Sequence, residues 1–416
     1  MRILLLGSGA REHAILSALL AEDAGHEVIV GPGNAGIADE ATTIALDPEN
    51  PRVVADFAAD NDIELVIVGP EAPLVAGVAD AVRARGIAVF GPSKAAAQME
   101  GSKAFAKRVM DAAGVPTGRA VRSATLAEVA ATLDELGAPY VVKADGLAAG
   151  KGVLVTDDRA AALAHAEHFL QLGPVLVEEF LDGQEVSLFM LADGSTVLPL
   201  SPAQDYKRLW DGDLGPNTGG MGAYSPLPWL PKGFVDEVVN TVALPVIRQL
   251  ADEGTPFSGL LYCGLIVTAQ GVRVIEFNAR FGDPETQVVL PRLVTSLSGL
   301  LYAAATGRLG GMPYPEFTEK ACVTVVLASE GYPDAPQTGR EISSLEAAAD
   351  VPGVRILHAA TARNGDRLVA TGGRVLSVVA TGGNFAEARS RVYEALRLIT
   401  LEGSHYRTDI AARVAE

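Results

Sequence analysis

The chain has 416 residues, enough for roughly two to four domains with full hydrophobic cores. Hydrophobic residues make up 49% and charged residues 20%, which excludes a polar, charge-rich disordered chain and predicts a globular one throughout. A formal net charge of −18 repels nucleic acid and anionic membranes, so neither is expected as a partner and any anionic ligand must be held by local groups.

Taken in chain order, Arg2 to Leu6 is an apolar run that stops at Gly7, with charge returning at Arg11 and Glu12. It reads as a first strand rather than a signal peptide. A helix over Ala10 to Leu20, a strand at Glu27 to Val30, a helix after Asp47, a strand at Glu64 to Val68, a helix over Val75 to Arg85 and a strand at Ile87 to Phe90 follow. This alternation predicts a parallel sheet with helices on its faces, and ligands in such sheets sit at the loops after the strands' carboxyl ends. Those loops are Gly7-Ser8-Gly9-Ala10, Gly31 to Gly36, Gly69-Pro70-Glu71 and Gly91-Pro92-Ser93, all small or rich in Gly and Pro.

A helix over Ser102 to Ala113 ends at Gly114, and the strands Tyr140 to Lys143 and Val153 to Thr156 flank a Gly-rich loop as a hairpin, which marks an antiparallel sheet. Strands are expected at Val175 to Glu179, Glu185 to Leu191 and Thr196 to Leu200. The segment Pro202 to Pro231 reads as a long loop with little regular pattern, and its Asp205, Lys207, Arg208, Asp211, Asp213 and Gly-Gly-Met-Gly turn favour function over disorder. Beyond it come a helix over Phe234 to Ala251, a hairpin of Leu260 to Thr268 with Val272 to Asn278, a strand at Cys322 to Leu327, two Thr-Gly-Gly segments at Thr371 and Thr381 read as plain strand turns, and a helix over Phe385 to Leu398. No apolar stretch approaches the ~18 residues of a bilayer span. Cys263 and Cys322 lie inside apolar runs with no paired Cys or His at metal-ligand spacing, so both are expected as buried thiols in a reducing cytoplasm.

Four segments carry chemistry. Gly7-Ser8-Gly9 after a first strand invites a dinucleotide, but Glu12 stands where a third glycine belongs and the second strand ends in Val30-Gly31 rather than in an acid. A tight turn, or a site for a single phosphate or sugar phosphate, remains; the Gly31, Gly33, Asn34 and Gly36 loop strengthens the latter. Asp145 to Gly152 has three residues rather than four between its glycines, and Gly152 where a Walker loop needs Ser or Thr, so it is either a bare surface hairpin or a flap folded over a triphosphate with Lys143 as point charge. Glu178 and Glu179 before Phe180, Leu181 and Glu185 are solvated strand-end acids or readers of an adenine and a ribose. Glu276 and Asn278 alternate with Phe277, which points the oxygen pair to one face, suited to Mg²⁺; Arg280, Asp283 and Glu285 follow at once.

In this order the segments Gly-Ser-Lys from 101, Lys143 with its Gly-rich hairpin, Glu-Glu-Phe-Leu from 178 and Glu-Phe-Asn from 276 resemble the ATP-grasp superfamily. More narrowly, Gly-Pro-Gly-Asn-Ala-Gly from 31, Lys-Ala-Asp-Gly-Leu-Ala-Ala-Gly-Lys-Gly-Val from 143, Gly-Pro-Asn-Thr-Gly-Gly-Met-Gly-Ala-Tyr-Ser-Pro from 215 and Glu-Phe-Asn-Ala-Arg-Phe-Gly-Asp-Pro-Glu from 276 are similar to the phosphoribosylamine–glycine ligase family over essentially the whole chain. The resemblance implies a fold of α/β and α+β domains: an N-terminal parallel α/β domain over 1–102, an ATP-grasp body over 103–319 with a mobile subdomain near 120–190, and a small α+β domain over 320–416. It implies a ligase of purine biosynthesis that uses ATP with Mg²⁺ or Mn²⁺ to join glycine to 5-phosphoribosylamine through a glycyl phosphate, and we expect a cytoplasmic monomer. Lys103, Lys143 and Lys151 are then implied to hold phosphates, Glu178, Glu179, Phe180 and Leu181 to border adenine, Glu185 to read ribose, and Glu276 with Asn278 to hold the metal. Gly9, Gly33, Asn34, Gly36, Glu71, Thr218, Gly219, Gly220 and Met221 are expected around the substrates, with Arg280 on the glycine carboxylate and Asp205 or Asp213 on its ammonium. The strand Tyr262 to Thr268 lacks the further acidic metal ligand of many ATP-grasp enzymes, which leaves Asp205 or Asp213 as substitutes.

Overall fold

Residues 1–146 and 152–416 are described in the computed structural model of the protein. The strand Arg2–Gly7 is almost uniformly apolar and buried along its length, as a strand covered on both faces must be. It lies at the centre of a five-stranded parallel sheet in the order Thr42–Thr43, Glu27–Pro32, Arg2–Gly7, Leu65–Val68, Ala88–Phe90. The helix Pro51–Asp60 starts where Asn50 accepts from Val53 N and Pro51 fixes the first turn. The single helix expected over Val75 to Arg85 is two short ones, Glu71–Ala76 and Val78–Arg83, because Gly77 between them is left-handed at φ 97°.

The helix Lys103–Ala113 is capped by Ser102, whose hydroxyl accepts from Phe105 N and donates to Asp145. Next comes a four-stranded antiparallel sheet, Ala120–Ser123, Val175–Glu178, Tyr140–Ala144, Val153–Thr156, with the helices Leu126–Leu136 and Arg159–Leu170 packed on it. Val129, Leu133, Val142, Ala162, Ala166, Val175 and Val177 give this subdomain a core of its own. A second antiparallel sheet orders Val197–Pro199, Gln184–Asp193, Ser258–Thr268 and Gly271–Asn278.

The stretch read as a patternless loop is stitched into the C-terminal part. Gln204–Asp205 and Gly222–Ser225 are two strands of a five-stranded sheet completed by Ala321–Ala328, Arg374–Gly382 and Val354–His358. Between them Arg208–Trp210 and Leu214–Asn217 form a short ribbon. The helix Phe385–Leu398 is where its periodicity put it, with Asn384 as cap, and covers the sheet with Ala388, Val392, Ala395 and Leu396. Cys263 and Cys322 are free and buried, and among the described residues no helix is long and apolar enough to cross a membrane.

Candidate active site

Glu12 explains the first glycine-rich loop. Its carboxylate accepts from Gly9 N at 2.6 Å and from Arg11 Nε at 2.5 Å, and it is buried at the start of the helix Ala10–Leu20. A Cβ on Gly7, Gly9 or Gly69 would collide with it. The protein's own carboxylate therefore occupies the helix-terminal anion position that a dinucleotide pyrophosphate would need. Arg11 is held between Glu12 and the carbonyl of Phe281, 3.2 Å away.

In the central part, Lys143 Nζ is 2.8 Å and Lys107 Nζ 3.4 Å from Oε2 of Glu178. Lys107 also donates to the Thr117 hydroxyl and the Gly118 carbonyl, tying the helix Lys103–Ala113 to the loop beside Glu179 and Leu181. Burial pulls the Lys107 ammonium down, and Glu178 opposes that. The sequence reading passed over Lys107, although it lies one helical turn from Lys103 on the same face. Glu179 and Phe180 are exposed, and Glu179 accepts from Arg119 N. Lys151 lies outside the described residues.

Glu276 and Asn278 end the strand Gly271–Asn278, and a β-bulge aims them. Gly264 pairs with Glu276 but Leu265 with Val274, so Ile275 is an extra residue on this strand. Val274 and Phe277 thereby both enter the core while Glu276 and Asn278 stay half-buried on the other side. Burial alone would raise the Glu276 carboxyl; Lys143, Lys207, Lys103 and Arg280 hold it below its usual value. Gly264 lies directly opposite Glu276, and a Cβ there would come within 3.2 Å of the Glu276 carbonyl and 3.3 Å of its Cγ. Among the described residues no three His, Cys, Asp or Glu side chains gather as a metal cage. One carboxylate and one amide oxygen on a single strand suit a hard cation that takes its remaining ligands from phosphate and water.

Lys207 sits across from this pair. It is bonded to Glu185 and lies 3.8 Å from Asp205 Oδ1, and burial pushes the Asp205 carboxyl up to about 7, aided by Glu285 and Glu185 against Lys207. Glu285 itself accepts from Tyr262 and Ser187 hydroxyls in the buried floor. Asp213 is not brought here: its carboxylate is bound 2.9 Å from Arg407 in the C-terminal part. Arg280 is tightly paired, with Nε 3.2 Å from Glu71 and Nη2 2.9 Å from Glu100, which also accepts from Ala279 N. Burial depresses the Arg280 guanidinium but Glu100 and Glu71 outweigh it and raise it, while Glu71 is held low against burial by Arg280 and Arg11.

A cavity of about 430 Å³ opens where the N-terminal, central and C-terminal parts meet, lined among others by Ser8, Gly9, Asn34, Asp283, Thr361 and Arg374. Gly33 also borders it. Asn34 spends its side chain on the scaffold: Nδ2 donates to the carbonyls of Ser8 at 2.9 Å and His358 at 2.8 Å, and Oδ1 accepts from Ile37 N. With both amide hydrogens engaged there, Asn34 has no free side-chain donor for a phosphate. Gly36 likewise serves packing, since a Cβ there would strike the rings of His358 and His13. His13 Nδ1 accepts from His358 N at 2.9 Å, and burial pushes the His358 ring down to about 4.

Arg374 is a functional candidate that sequence reasoning missed, because Thr371-Gly372-Gly373 before it read as a plain turn. Its Nη1 donates to the carbonyls of Gly219 at 2.5 Å and Asp283 at 2.8 Å, and Nη2 lies 3.1 Å from the Asp283 carboxylate. Gly219 N donates to the Tyr332 hydroxyl, and Thr218 Oγ1 donates to the Lys207 carbonyl and accepts from Gly220 N. Met221 is wholly buried against Leu209 and Ala328 and so supports the loop from beneath.

Three family models match the chain: the phosphoribosylglycinamide synthetase N domain over residues 1–100, its ATP-grasp (A) domain over 101–286 and its C domain over 322–413. A phosphoribosylamine–glycine ligase of Leifsonia xyli subsp. xyli is 72% identical over 416 residues, 99% of this chain and all of that protein. One of Streptomyces coelicolor is 58% identical over the full length of both. The crystal structure of a phosphoribosylamine–glycine ligase from Thermotoga maritima superposes with a TM-score of 0.85 at 34% identity, covering 98% of this chain and 100% of that one.

Proposed function

The chain belongs to the phosphoribosylglycinamide synthetase family, and from that premise we propose how its residues divide the work. The reaction is the ATP-dependent joining of glycine to 5-phosphoribosylamine in purine biosynthesis, giving glycinamide ribonucleotide, ADP and phosphate. The observation that carries the assignment of roles is the Glu276 carboxyl held low, against burial, by the charges of Lys143, Lys207, Lys103 and Arg280. Such a concentration of cations suits a transferring phosphoryl group, whose charge is spread over its equatorial oxygens.

A carboxylate is a poor electrophile until one of its oxygens becomes a phosphate leaving group. In our reading a glycine oxygen attacks the γ-phosphorus and the bond to ADP breaks. The amine nitrogen then attacks the acyl carbon, and the carbon–oxygen bond to phosphate breaks. Lys143 and Lys103 hold the ATP phosphates from one side and Lys207 faces them from the other. Glu276 and Asn278 are the pair suited to Mg²⁺ or Mn²⁺, which when bound supplies charge neutralisation between phosphate oxygens. Asp205, with a pKa near neutrality, takes the proton lost by the attacking amine. The adenine edge is met by Glu178 to Leu181 and the ribose by Glu185.

The phosphoribosyl group is assigned to the 430 Å³ cavity, with Arg374 and the Ser8-Gly9 backbone as its anion donors. This replaces Asn34 as phosphate ligand and makes it the brace of that wall. Arg280, already paired with Glu71 and Glu100, orients the N-terminal loop more than it binds a free carboxylate.

Phosphate release should require ATP, glycine and phosphoribosylamine together. With glycine labelled by heavy oxygen in its carboxylate, one label should appear in the released phosphate. Unlabelled phosphate would rule out the glycyl phosphate.

A further inference from the structure

Tyr206 stands between Asp205 and Lys207, the two residues of this segment given roles in the proposed reaction. Its backbone continues the ladder, donating to the Gly222 carbonyl at 2.9 Å and accepting from Met221 N at 2.8 Å. Alternation along an extended segment sends Asp205 and Lys207 to one face and Tyr206 to the other. On that other face the Tyr206 ring meets Arg407, with the guanidinium carbon 4.8 Å from the ring centre, and the Tyr206 hydroxyl accepts from Ala411 N at 3.0 Å.

Arg407 has no exposed surface. Its guanidinium makes four hydrogen bonds: two to Asp409, one to Asp213 at 2.9 Å and one to the carbonyl of Arg208 at 3.1 Å. Tyr393 donates to its carbonyl. A buried cation is tolerated only when paired and fully bonded, and here the pairing fixes it in one orientation. The two contacts that matter bracket a single residue: the ring before Lys207 and the carbonyl after it.

Other contacts also dock the C-terminal segment. Thr408 holds Asp211, Asp409 accepts from Gly212 N, and His405 bonds the Leu209 carbonyl. Arg407 touches the residues on both sides of Lys207, the Tyr206 ring and the Arg208 carbonyl, whereas Ala411 reaches Tyr206 alone.

We propose that Arg407 is a positioning residue for the ligase reaction, acting from the C-terminal domain through Tyr206 and the Arg208 carbonyl to fix Lys207 against Asp205, Glu185 and Glu276. The proposal rests on the reading that Lys207 serves the phosphoryl transfer. A misplacement of about 1 Å at such a group costs on the order of 100-fold in rate, so the effect falls on kcat and spares ATP binding, which other residues provide.

The test is steady-state kinetics of the full chain with ATP, glycine and phosphoribosylamine, for Lys207→Met, Arg407→Lys, Tyr206→Leu and the double variant Lys207→Met/Arg407→Lys. Lys keeps the charge of Arg407 but loses the fork that spans Tyr206 and Arg208. Lys207→Met should lower kcat about 100-fold, and Arg407→Lys about 10-fold with KM for ATP changed less than about threefold. The double variant should be no slower than Lys207→Met alone within about twofold, because Arg407 acts through the group already removed. A crippled Lys207→Met beside an Arg407→Lys of normal kcat, or losses that multiply in the double variant, would overturn the proposal for Arg407. A normal kcat in Lys207→Met would instead overturn the role of Lys207 itself. If Arg407→Lys does not fold, Tyr206→Leu is judged by the same two criteria, alone and combined with Lys207→Met.

Discussion

Lys143 and Glu178 meet at 2.8 Å with 6% of each side chain exposed, and the same carboxylate oxygen lies 3.4 Å from Lys107. Two ammonium groups thus share one acid, which leaves a local excess of positive charge at the head of the cleft. That excess is costly without a ligand and favourable once a polyphosphate enters.

Lys143→Met is therefore expected to lower turnover at least about 100-fold. Glu178 keeps Lys107, so unfolding without ATP should lose only about 1–3 kcal/mol. Phosphate release and thermal denaturation measure the two effects, and a folded variant with normal turnover at saturating ATP would remove Lys143 from phosphate binding.

Glu276→Gln keeps an oxygen at the metal position but removes the charge that favours a dication. The midpoint of a magnesium titration at fixed ATP is expected to rise about tenfold, whereas metal-free ATP binding should stay the same or tighten as four neighbouring cations lose their shared acid. An unchanged titration would place the metal elsewhere.

Arg374→Met removes an anion donor from the cavity at the three-way junction and unties Gly219 from Asp283. KM for phosphoribosylamine should rise about tenfold or more with KM for ATP nearly constant. Asn34→Leu, which cuts the links to Ser8 and His358, should raise the same constant and also lower stability by about 1–3 kcal/mol. Loss of ATP affinity in either variant would assign this wall to the nucleotide.

His358 is held neutral in the folded protein, its pKa lowered from 6.5 to about 4 by burial, with His13 and Arg363 adding to that and Asp39 and Glu40 opposing; its Nδ1 faces Thr361. Between those two values the unfolded chain binds the extra proton, so stability rises with pH across this window and falls on acidification. The full effect is about 3 kcal/mol. Thermal unfolding from pH 7 to 4.5 should show the drop, and His358→Gln should flatten it. Equal slopes in both proteins would show that other groups set the acid sensitivity.

The family was legible in the residues because four long motifs follow one another in a fixed order along the chain. Glu12 was visible as a departure from a dinucleotide loop, though not as the group that fills the vacated position. The bulge at Ile275 was invisible, since plain alternation puts Val274 beside Glu276 and only the ladder with Gly264 and Leu265 reveals the extra residue. Asp213 looked as available as Asp205 because both are acids in one loop; what separates them is Arg407, far along the chain. Arg374 and Arg407 belong to no local pattern. Arg374 opens a strand of a sheet assembled out of distant two- to nine-residue strands, and Arg407, outside that sheet, is brought against Tyr206 from far along the chain.

The sharing of that sheet bears on any attempt to dissect the protein. The strand Ala321–Ala328 is buried at every position and pairs with Gly222–Ser225 on one side and Arg374–Gly382 on the other. A fragment beginning near residue 320 would carry this strand as a bare apolar edge, a template for pairing with its own copies. Such a piece should aggregate when expressed by itself, and supplying residues 202–226 as a tethered segment should restore a soluble, monodisperse product.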